Sequence, residues 1–346
     1  MKALTVLKPQ VAEYQEVPKP AAVGRFMTVK VERAGICATD FSIFSGDCSF
    51  VRSGEIVYPV RFGHEWSGTV VECGNEVRGF RPGDRIYSDS GISCGKCPDC
   101  LAGHYDKCRF TRSVGTINCW DGCFAEYISI PDYNAYHIPD SVSFDEATLI
   151  EPSAISYDAF RNVELNEAST VVVIGTGAIG MSAVWLAKYL GAGRVVVVGR
   201  TPSKLEIGRK IGADIAVSST VTDPVKAIKD LTDGQGAELV IETSGSDKAL
   251  YQGIYMTRND CRICSLSFYE HDLDGVPVDH LVLNKISLVG GAGRFGNPQK
   301  VCGIFEKNPV KLTPIITHRI KFGEMKDFLE SSAKYAKSKI KVMVEF

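Results

Sequence analysis

The sequence predicts an α/β protein with two parts, a mostly β domain and a second domain built on a doubly wound parallel sheet. From residue 1 to about 150, short alternating apolar segments such as Phe26-Met-Thr-Val-Lys-Val are punctuated by glycine and proline, which is typical of β-strands. After about residue 155, β-branched runs of five residues alternate with amphipathic stretches of ten to thirteen residues. That alternation is typical of repeated βαβ units around a parallel sheet.

The second part contains six predicted strands, with helices between most of them. The strands cover residues 170–174, 194–198, 214–217, 238–242, 262–265 and 287–290, and residues 181–190 predict an amphipathic helix. The closing run Ile340-Lys-Val-Met-Val-Glu-Phe also predicts a strand, which can rejoin the first part. We therefore expect one domain over residues 1–154, completed by residues 291–346, and the parallel-sheet domain over residues 155–290.

The composition describes a globular chain and excludes two classes of partner. The 346 residues are 45% hydrophobic, enough for a sizeable core, and the length predicts about two domains. The 39 basic and 41 acidic side chains nearly cancel, without the basic runs that bind nucleic acid or anionic membranes. We therefore expect a small-molecule substrate, with no nucleic-acid or membrane partner.

The cysteine content and the apolar segments predict a cytoplasmic protein. Residues 1–8 lack the apolar stretch of a signal peptide and predict a first strand instead. The apolar region over residues 171–198 is interrupted by glycines, Lys188 and Arg194, so it does not predict a membrane span. Twelve cysteines in a reducing compartment do not predict a disulfide framework, and their clustering indicates metal binding.

Four of these cysteines lie within fifteen residues in the spacing C-x2-C-x2-C-x7-C. They are Cys94, Cys97, Cys100 and Cys108. Four soft thiolates around one ion suit tetrahedral Zn²⁺, and a zinc site with every position filled by protein is structural, because no position is left for substrate. An iron–sulfur cluster and unliganded cysteines are the alternatives. A nucleic-acid-binding zinc ribbon does not agree with the near-neutral charge.

A glycine-rich turn follows the predicted strand at residues 170–174 and precedes a predicted helix. In G-x-G-x-x-G turns of this kind, the first glycine makes the tight turn, the second lets the backbone approach a pyrophosphate, and the third lets the helix pack on the strand. The helix N-terminus then faces the anion. A turn without a nucleotide is the alternative. The predicted cofactor-binding residues here are Gly175, Gly177, Ala178, Ile179 and Gly180.

The end of the next strand favours NADP over NAD as the cofactor. An NAD-selective site places an Asp or Glu there for the adenosine ribose hydroxyls, and this chain has Gly199 and Arg200 instead. Arg200 and Lys204 supply positive charge for a 2′-phosphate. Alternatively Arg200 is solvated or stacks on adenine, which leaves NAD usable.

Three further segments complete a family resemblance. Together with the cysteine loop and the glycine turn, and in this order, they resemble the zinc-dependent medium-chain alcohol dehydrogenases over essentially the whole chain. The polyol, sugar-alcohol and threonine dehydrogenase branch is the most similar. The resemblance implies a GroES-like catalytic domain and a Rossmann domain with a zinc in the cleft between them. The segments are Gly35-Ile-Cys-Ala-Thr-Asp40, Gly63-His-Glu-Trp-Ser-Gly68 and Ile150-Glu-Pro152.

The resemblance implies which residues bind this second, catalytic zinc. Cys37 and His64 match zinc ligands, and Glu151 stands where this branch has its third protein ligand. Glu65 matches a carboxylate that lies close to the zinc or exchanges with water as a ligand. Three protein ligands leave one coordination position for water or a substrate oxygen, whose pKa the zinc lowers. We therefore expect two zinc ions per chain, one catalytic and one structural.

The resemblance also implies residues for proton transfer and for substrate contacts. Thr39 matches a residue that hydrogen-bonds the substrate oxygen and passes its proton onward, and Ser42 stands in place of a common relay histidine. Asp40 matches a carboxylate that orients the zinc-binding histidine. Family members are commonly homodimers or homotetramers. The candidates for contacts to a polyhydroxylated or anionic substrate are Asn118, Trp120 and Arg294.

These features together predict reversible oxidation of a secondary alcohol to a ketone, with hydride transfer to NAD(P)⁺. Sugar alcohols, cyclitols, sugar acids and threonine-like amino alcohols all fit the motifs. Two alternatives remain at this point. One is a non-catalytic NAD(P)-binding zinc protein, and the other is an enzyme that uses the cofactor transiently for elimination or epimerisation.

Overall fold

The computed structural model describes residues 1–293 and 295–346, so Arg294, a predicted substrate contact, lies outside the described residues. The strands are, in chain order, β1 (Lys2–Lys8), β2 (Val11–Glu16), β3 (Phe26–Ile36), β4 (Val60–Arg61), β5 (Glu65–Cys73), β6 (Arg85–Ser88), β7 (Gly91–Ile92), β8 (Arg112–Ser113), β9 (Tyr127–Pro131), β10 (Ala135–His137), β11 (Thr170–Ile174), β12 (Arg194–Gly199), β13 (Ile215–Ser218), β14 (Ala237–Glu242), β15 (Thr257–Ser265), β16 (Ser287–Gly290), β17 (Ile316–Lys321) and β18 (Lys341–Glu345).

The helices alternate with strands mainly in the second part of the chain. The α-helices are α1 (Ala38–Ser45), α2 (Ser49–Arg52), α3 (Pro98–Leu101), α4 (Phe144–Thr148), α5 (Ile150–Tyr157), α6 (Ala178–Tyr189), α7 (Pro202–Lys210), α8 (Pro224–Leu231), α9 (Asp247–Met256), α10 (Val278–Leu283), α11 (Asn297–Lys307) and α12 (Met325–Glu330). Short 3-10 helices cover Tyr105–Lys107, Asp132–Asn134, Asp158–Phe160, Thr313–Ile315, Phe322–Glu324 and Ser332–Tyr335.

The largest sheet joins the beginning of the chain to its end. Its order is β10-β6-β5-β3-β18-β17, and β9 pairs with the first half of β3. The C-terminal strand β18 runs antiparallel to the second half of β3, with Val342 opposite Ile36. This register brings the residues around Lys341 next to Cys37, which directly follows β3.

A six-stranded parallel sheet forms the second part, in the order β13-β12-β11-β14-β15-β16. Together with the mostly β first part, it confirms the predicted α/β fold class. The strand predicted at residues 262–265 is longer than expected, because β15 begins at Thr257. After the buried Thr257, residues 258–260 are polar and exposed, so no apolar pattern marks the start of the strand.

Helix α6 is more buried than the amphipathic pattern predicted. All eight residues from Gly180 to Ala187 are buried, because the helix lies against both the parallel sheet and α5. Two hydrogen bonds join the helices, from Ser153 Oγ to Ser182 Oγ at 3.2 Å and from Ser156 Oγ to the Ile179 carbonyl at 2.8 Å. The start of α5, which carries Glu151, is thereby held beside the glycine turn that starts α6.

A second contact connects α2 with the loop after β15. The Glu270 carboxylate accepts hydrogen bonds from the Ser49 amide at 2.7 Å and from Arg52 at 2.9 Å, and the rings of Phe50 and Phe268 meet edge to face. The mostly β part and the parallel-sheet part therefore touch at separate places. Among the described residues the longest helix has 12 residues, and none is long and apolar enough to cross a bilayer.

We expect Gly180→Ala to destabilise the fold. A Cβ at this position would lie 2.2 Å from the Gly175 carbonyl oxygen, and backbone cannot move aside at low cost. Overpacking of this kind costs about 1–3 kcal/mol, so the melting temperature in a thermal unfolding experiment should fall. Gly303→Ala is the control, because a Cβ there meets nothing within 4 Å and helix α11 gains a better helix former. Equal melting temperatures for the two variants would contradict the packing argument.

Candidate active site

The structure brings together a thiol, an imidazole and a carboxylate from two adjacent strands. Cys37 follows β3, His64 directly precedes β5, and Glu65 is the first residue of β5, opposite Gly35 in the β3–β5 ladder. One ligand atom from each of Cys37, His64 and Glu65 lies within 4.8 Å of the others. A Cβ at Gly35 would lie 2.1 Å from Glu65 Oε2, so the absent side chain makes room for this carboxylate.

Lys341 completes this group, and the sequence analysis missed it. Its fully buried Nζ donates to Glu65 Oε1 at 2.6 Å and to the Ile36 carbonyl at 3.3 Å. Burial lowers the pKa of the ammonium, but the carboxylate of Glu65 and the thiolate of Cys37 outweigh burial and leave the pKa raised. The available signal was a lysine between Ile340 and Val342 in an otherwise apolar closing strand.

Asp40 and His64 form a second buried pair beside the thiol. Asp40 Oδ2 accepts the Cys37 amide at 2.8 Å, and Oδ1 lies 3.7 Å from His64 Nδ1. Neither Oδ1 nor Nδ1 has a hydrogen-bond partner among the described residues. Burial raises the pKa of Asp40 to about 6, whereas Asp40 and Cys37 raise the pKa of His64 against the effect of burial. Because Nδ1 faces Asp40, the ring nitrogen left for a metal is Nε2.

Glu151 lies next to this group but outside the set of three. It belongs to the first turn of α5, and burial raises the pKa of its carboxyl to about 7, with His64 acting in the opposite direction. Glu151 also lines a cavity of about 270 Å³. The other polar side chains lining it are Asp89, Ser90, Ser93, Tyr105, Asp106, Thr111 and Ser113. A small polar molecule in this cavity would contact Glu151.

The two hydroxyl groups predicted for proton transfer lie on α1, which starts after Cys37. Thr39 Oγ1 is 3.7 Å from Cys37 Sγ, so its hydroxyl borders the group of three. Ser42 Oγ donates to the Ala38 carbonyl of its own helix at 3.4 Å. Helix α1 therefore places the Thr39 hydroxyl at the site and the Ser42 hydroxyl one turn further along the helix.

The chemistry of this donor set fits a zinc ion. Thiolate, imidazole and carboxylate are the zinc ligands of proteins, and catalytic zinc sites have three of them. The carboxyl groups of Asp40, Glu65 and Glu151 lie close together, with Lys341 and His64 as the counter-charges. Buried acids in this excess are costly without a cation. A divalent ion would remove that cost.

The four-cysteine loop forms a second candidate metal centre. The sulfur atoms of Cys94, Cys97, Cys100 and Cys108 all lie within 4.8 Å of one another. Cys94 Sγ is 3.9 Å from Cys100 Sγ, and Cys97 Sγ is 4.0 Å from Cys108 Sγ. The edge of a ZnS₄ tetrahedron with Zn–S bonds of about 2.3 Å is about 3.8 Å. The Lys96 amide, with other amide and thiol donors, lowers the pKa of Cys94 to about 6, which favours a thiolate.

The structure explains why two of the three turn positions require glycine, and each has a different reason. Gly175 has a φ of 116°, and a Cβ there would lie 2.3 Å from Thr243 Oγ1. Gly180 is required by its contact with the Gly175 carbonyl. Gly177 has ordinary extended backbone, and a Cβ there would meet nothing within 4 Å. No packing reason within the described chain accounts for Gly177, and no side chain caps the first turn of α6. The turn therefore fits an external anion.

The end of β12 carries basic residues without an acidic neighbour in sequence. Gly199 is enclosed, since a Cβ there would lie 2.4 Å from Thr176 Cγ2 in the glycine turn. Arg200 is exposed, and Lys204 is partly buried on α7, where its Nζ donates to the Ala336 carbonyl at 3.3 Å. Residues 199–204 include no Asp or Glu. Residues 199–204 therefore provide no carboxylate for a pair of ribose hydroxyls.

Two predicted substrate contacts lie away from the cavity that Glu151 lines. Trp120 stacks on Phe26, and its Nε1 donates to the Ser129 carbonyl at 2.8 Å. Trp120 lines a different cavity, next to the four-cysteine loop. Asn118 has a φ of 49°, and its amide donates to the Glu55 carbonyl at 2.9 Å. For both residues, the described contacts are those of loop packing.

Comparison with known proteins agrees with these features. Residues 25–140 match the alcohol dehydrogenase GroES-like domain, and residues 178–306 match the zinc-binding dehydrogenase domain. An L-threonine 3-dehydrogenase of Bacillus licheniformis is 33% identical over 92% of this chain and 91% of its own. A sorbitol dehydrogenase of Halalkalibacterium halodurans is 30% identical over 90% of this chain and 89% of its own.

A solved structure extends the comparison to three dimensions. A zinc-binding dehydrogenase of Sinorhizobium meliloti, bound to NADP, superimposes with a TM-score of 0.88 and 28% identity over 100% of this chain and 99% of its own. Sequence, fold and relatives agree with the predicted resemblance. The chain belongs to the zinc-dependent medium-chain alcohol dehydrogenase family.

Proposed function

We propose that this dehydrogenase reversibly oxidises a secondary alcohol of a polyhydroxylated small molecule to a ketone, with NADP⁺ as the hydride acceptor. One observation carries the proposal. Glu151 on helix α5 lies beside the Cys37–His64–Glu65 group and lines the cavity, and α5 is hydrogen-bonded to α6 next to the glycine turn. An alcohol in that cavity would lie between a metal site and a nicotinamide ring.

Cys37 and His64 are the proposed ligands of a catalytic zinc, with a carboxylate from Glu151 or Glu65 as the third. Bound there, zinc supplies Lewis acidity that lowers the pKa of a substrate hydroxyl. Asp40 Oδ1 faces His64 Nδ1 at 3.7 Å and would orient the ring, so that Nε2 is the nitrogen left for the metal. Lys341 holds the Glu65 carboxylate and offsets its charge.

Thr39 is the proposed proton acceptor. Its hydroxyl borders Cys37 and is able to accept one proton while donating another. Ser42 is the proposed next group on the way to solvent. The proton then leaves along α1, away from the buried acids.

The Cys94, Cys97, Cys100 and Cys108 loop is the proposed site of a second, structural zinc. Its four sulfur atoms offer a complete tetrahedral set, so substrate has no place on this ion. The loop adjoins the cavity that Glu151 lines, since Tyr105 and Asp106 belong to the loop and also line the cavity. A zinc there would fix the wall of the substrate cavity.

The lining of the cavity supports a hydroxylated substrate. Ser90 and Ser113 offer hydroxyl groups that both donate and accept hydrogen bonds, whereas Ser93 and Thr111 already donate to the carbonyls of Tyr105 and Cys108 and are left to accept. Burial raises the pKa of Asp89 to about 6, and its carboxylate accepts the Tyr136 hydroxyl at 2.5 Å. Polyols, cyclitols, sugar acids and amino alcohols present matching groups. The sorbitol and threonine dehydrogenase relatives support the same substrate range.

Arg200 and Lys204 support NADP as the proposed cofactor, and the relative solved with NADP agrees.

Strand β16 supports a homodimer or homotetramer. It is an edge of the parallel sheet, and Leu288 within it is 41% exposed, while Val282 and Leu283 of the preceding helix α10 are 69% and 80% exposed. Exposed apolar edges of this kind are commonly covered by another chain. None of the twelve cysteines is paired in a disulfide, which supports a cytoplasmic location.

A substrate panel tests the proposed reaction. Polyols, cyclitols, sugar acids and L-threonine are incubated with NADP⁺ and with NAD⁺, and the absorbance of the reduced nicotinamide is followed. We expect net cofactor reduction with at least one alcohol, and a higher kcat/KM with NADP⁺. Product formed without net reduction would indicate transient use of the cofactor. No product and no reduction, with intact nucleotide binding, would favour a non-catalytic protein.

We expect Gly177→Ala to weaken nucleotide binding without destabilising the fold. Its backbone suits alanine, and the new Cβ enters the open space where a pyrophosphate would lie. A steric conflict of this size should lower the affinity for NADPH about tenfold or more in a fluorescence titration, while the melting temperature stays at the wild-type value. An unchanged NADPH affinity would contradict the proposed position of the cofactor.

A further inference from the structure

The loop that leads into β18 brings a lysine toward the end of β12. Lys339 lies two residues before Lys341, with its Nζ 3.6 Å from the centre of the Phe41 ring. Three residues before Lys339, the Ala336 carbonyl accepts the hydrogen bond from Lys204 Nζ. The loop before β18 therefore touches α7, which follows β12 in the other part of the chain.

Arg200, Lys204 and Lys339 form a row of cations in which Lys204 interacts with each of the other two. Burial and then Arg200 lower the pKa of Lys204, and burial, Lys204 and Lys341 lower the pKa of Lys339 to about 8. His318 lies on the neighbouring strand β17, and its pKa is lowered by burial, by Lys339 and by Lys204. Among the described residues, none of the three cations forms an ion pair with Asp or Glu.

Partly buried cations that repel a neighbouring cation are costly to the free protein. Lys204 and Lys339 each lose hydration, and Lys204 also lies in the field of the exposed Arg200. The aromatic ring of Phe41 provides weak compensation for Lys339 only. Such a cluster is the expected arrangement where a multiply charged anion binds, because one anion offsets both the repulsion between the cations and their loss of hydration.

We propose that Lys339 is a third cation for the adenosine 2′-phosphate of NADP, acting with Arg200 and Lys204. The inference rests on the proposed use of NADP and extends it to a residue 135 positions after Lys204 in the chain. Lys339 leads into the sheet of β3 and β18, whereas Arg200 and Lys204 belong to the parallel-sheet part. A 2′-phosphate bound among them would link the two parts.

Isothermal titration calorimetry with two nicotinamide-free probes tests this inference. Adenosine 2′,5′-bisphosphate and 5′-AMP differ only by the 2′-phosphate. We expect Lys339→Gln to lower the affinity for the bisphosphate about tenfold and the affinity for 5′-AMP less than twofold, since one charge-assisted contact is lost. Lys339→Arg should restore most of the bisphosphate affinity. Lys337→Gln, an exposed lysine of the same loop, is the matched control and should bind as the wild type.

The outcomes separate this inference from the cofactor preference. If the wild type binds the bisphosphate more tightly than 5′-AMP and Lys339→Gln binds it equally well, the role of Lys339 is wrong and the NADP preference stands. If Lys339→Gln weakens both probes alike, Lys339 acts on the 5′-phosphate or on the fold, which also overturns the inference. If the wild type binds both probes equally, the NADP preference and the inference both fail.

Discussion

The ion pair between Glu65 and Lys341 is the interaction on which the site depends. Both side chains are fully buried, and removing one partner of a buried pair costs about 3–5 kcal/mol because the remaining charge is uncompensated. Gly35 leaves the space for the carboxylate, and the pairing of β18 with β3 supplies the lysine. The last strand of the chain thus determines the electrostatics around Cys37 and His64, and it does so from a position remote in sequence.

A second constraint is the packing of α5 against α6. The two serine hydrogen bonds hold the helix of Glu151 beside the glycine turn, so the proposed metal site and the proposed nucleotide site would keep a constant distance from each other. Hydride transfer requires such a relation, because donor and acceptor atoms have to approach within a narrow range of distance and angle. The complete burial of α6 follows from the same packing, since the helix has protein on every side over two turns.

Features set by short sequence spacing were predictable, and features set by long-range pairing were not. The cysteine loop, the glycine turn and strands β11 and β16 follow from local patterns. Lys341 and Lys339 do not, because only the register of β18 shows what they face. The resemblance ranked Glu151 above Glu65 as the third ligand, whereas the structure groups Glu65 with Cys37 and His64 and puts Glu151 beside them. When two carboxylates share one buried space, the sequence alone does not indicate which of them is the metal ligand.

The central claim is that the buried charges around Cys37 and His64 are arranged for a metal ion. Anomalous X-ray scattering at the zinc edge, on crystals of the protein as purified, tests it most directly. The account predicts two zinc peaks per chain, one among the four loop cysteines and one bounded by Cys37 Sγ, His64 Nε2 and a carboxylate. In Cys37→Ser only the second peak should weaken. A single peak at the loop in the wild type, with Glu65 still paired to Lys341, would contradict the account.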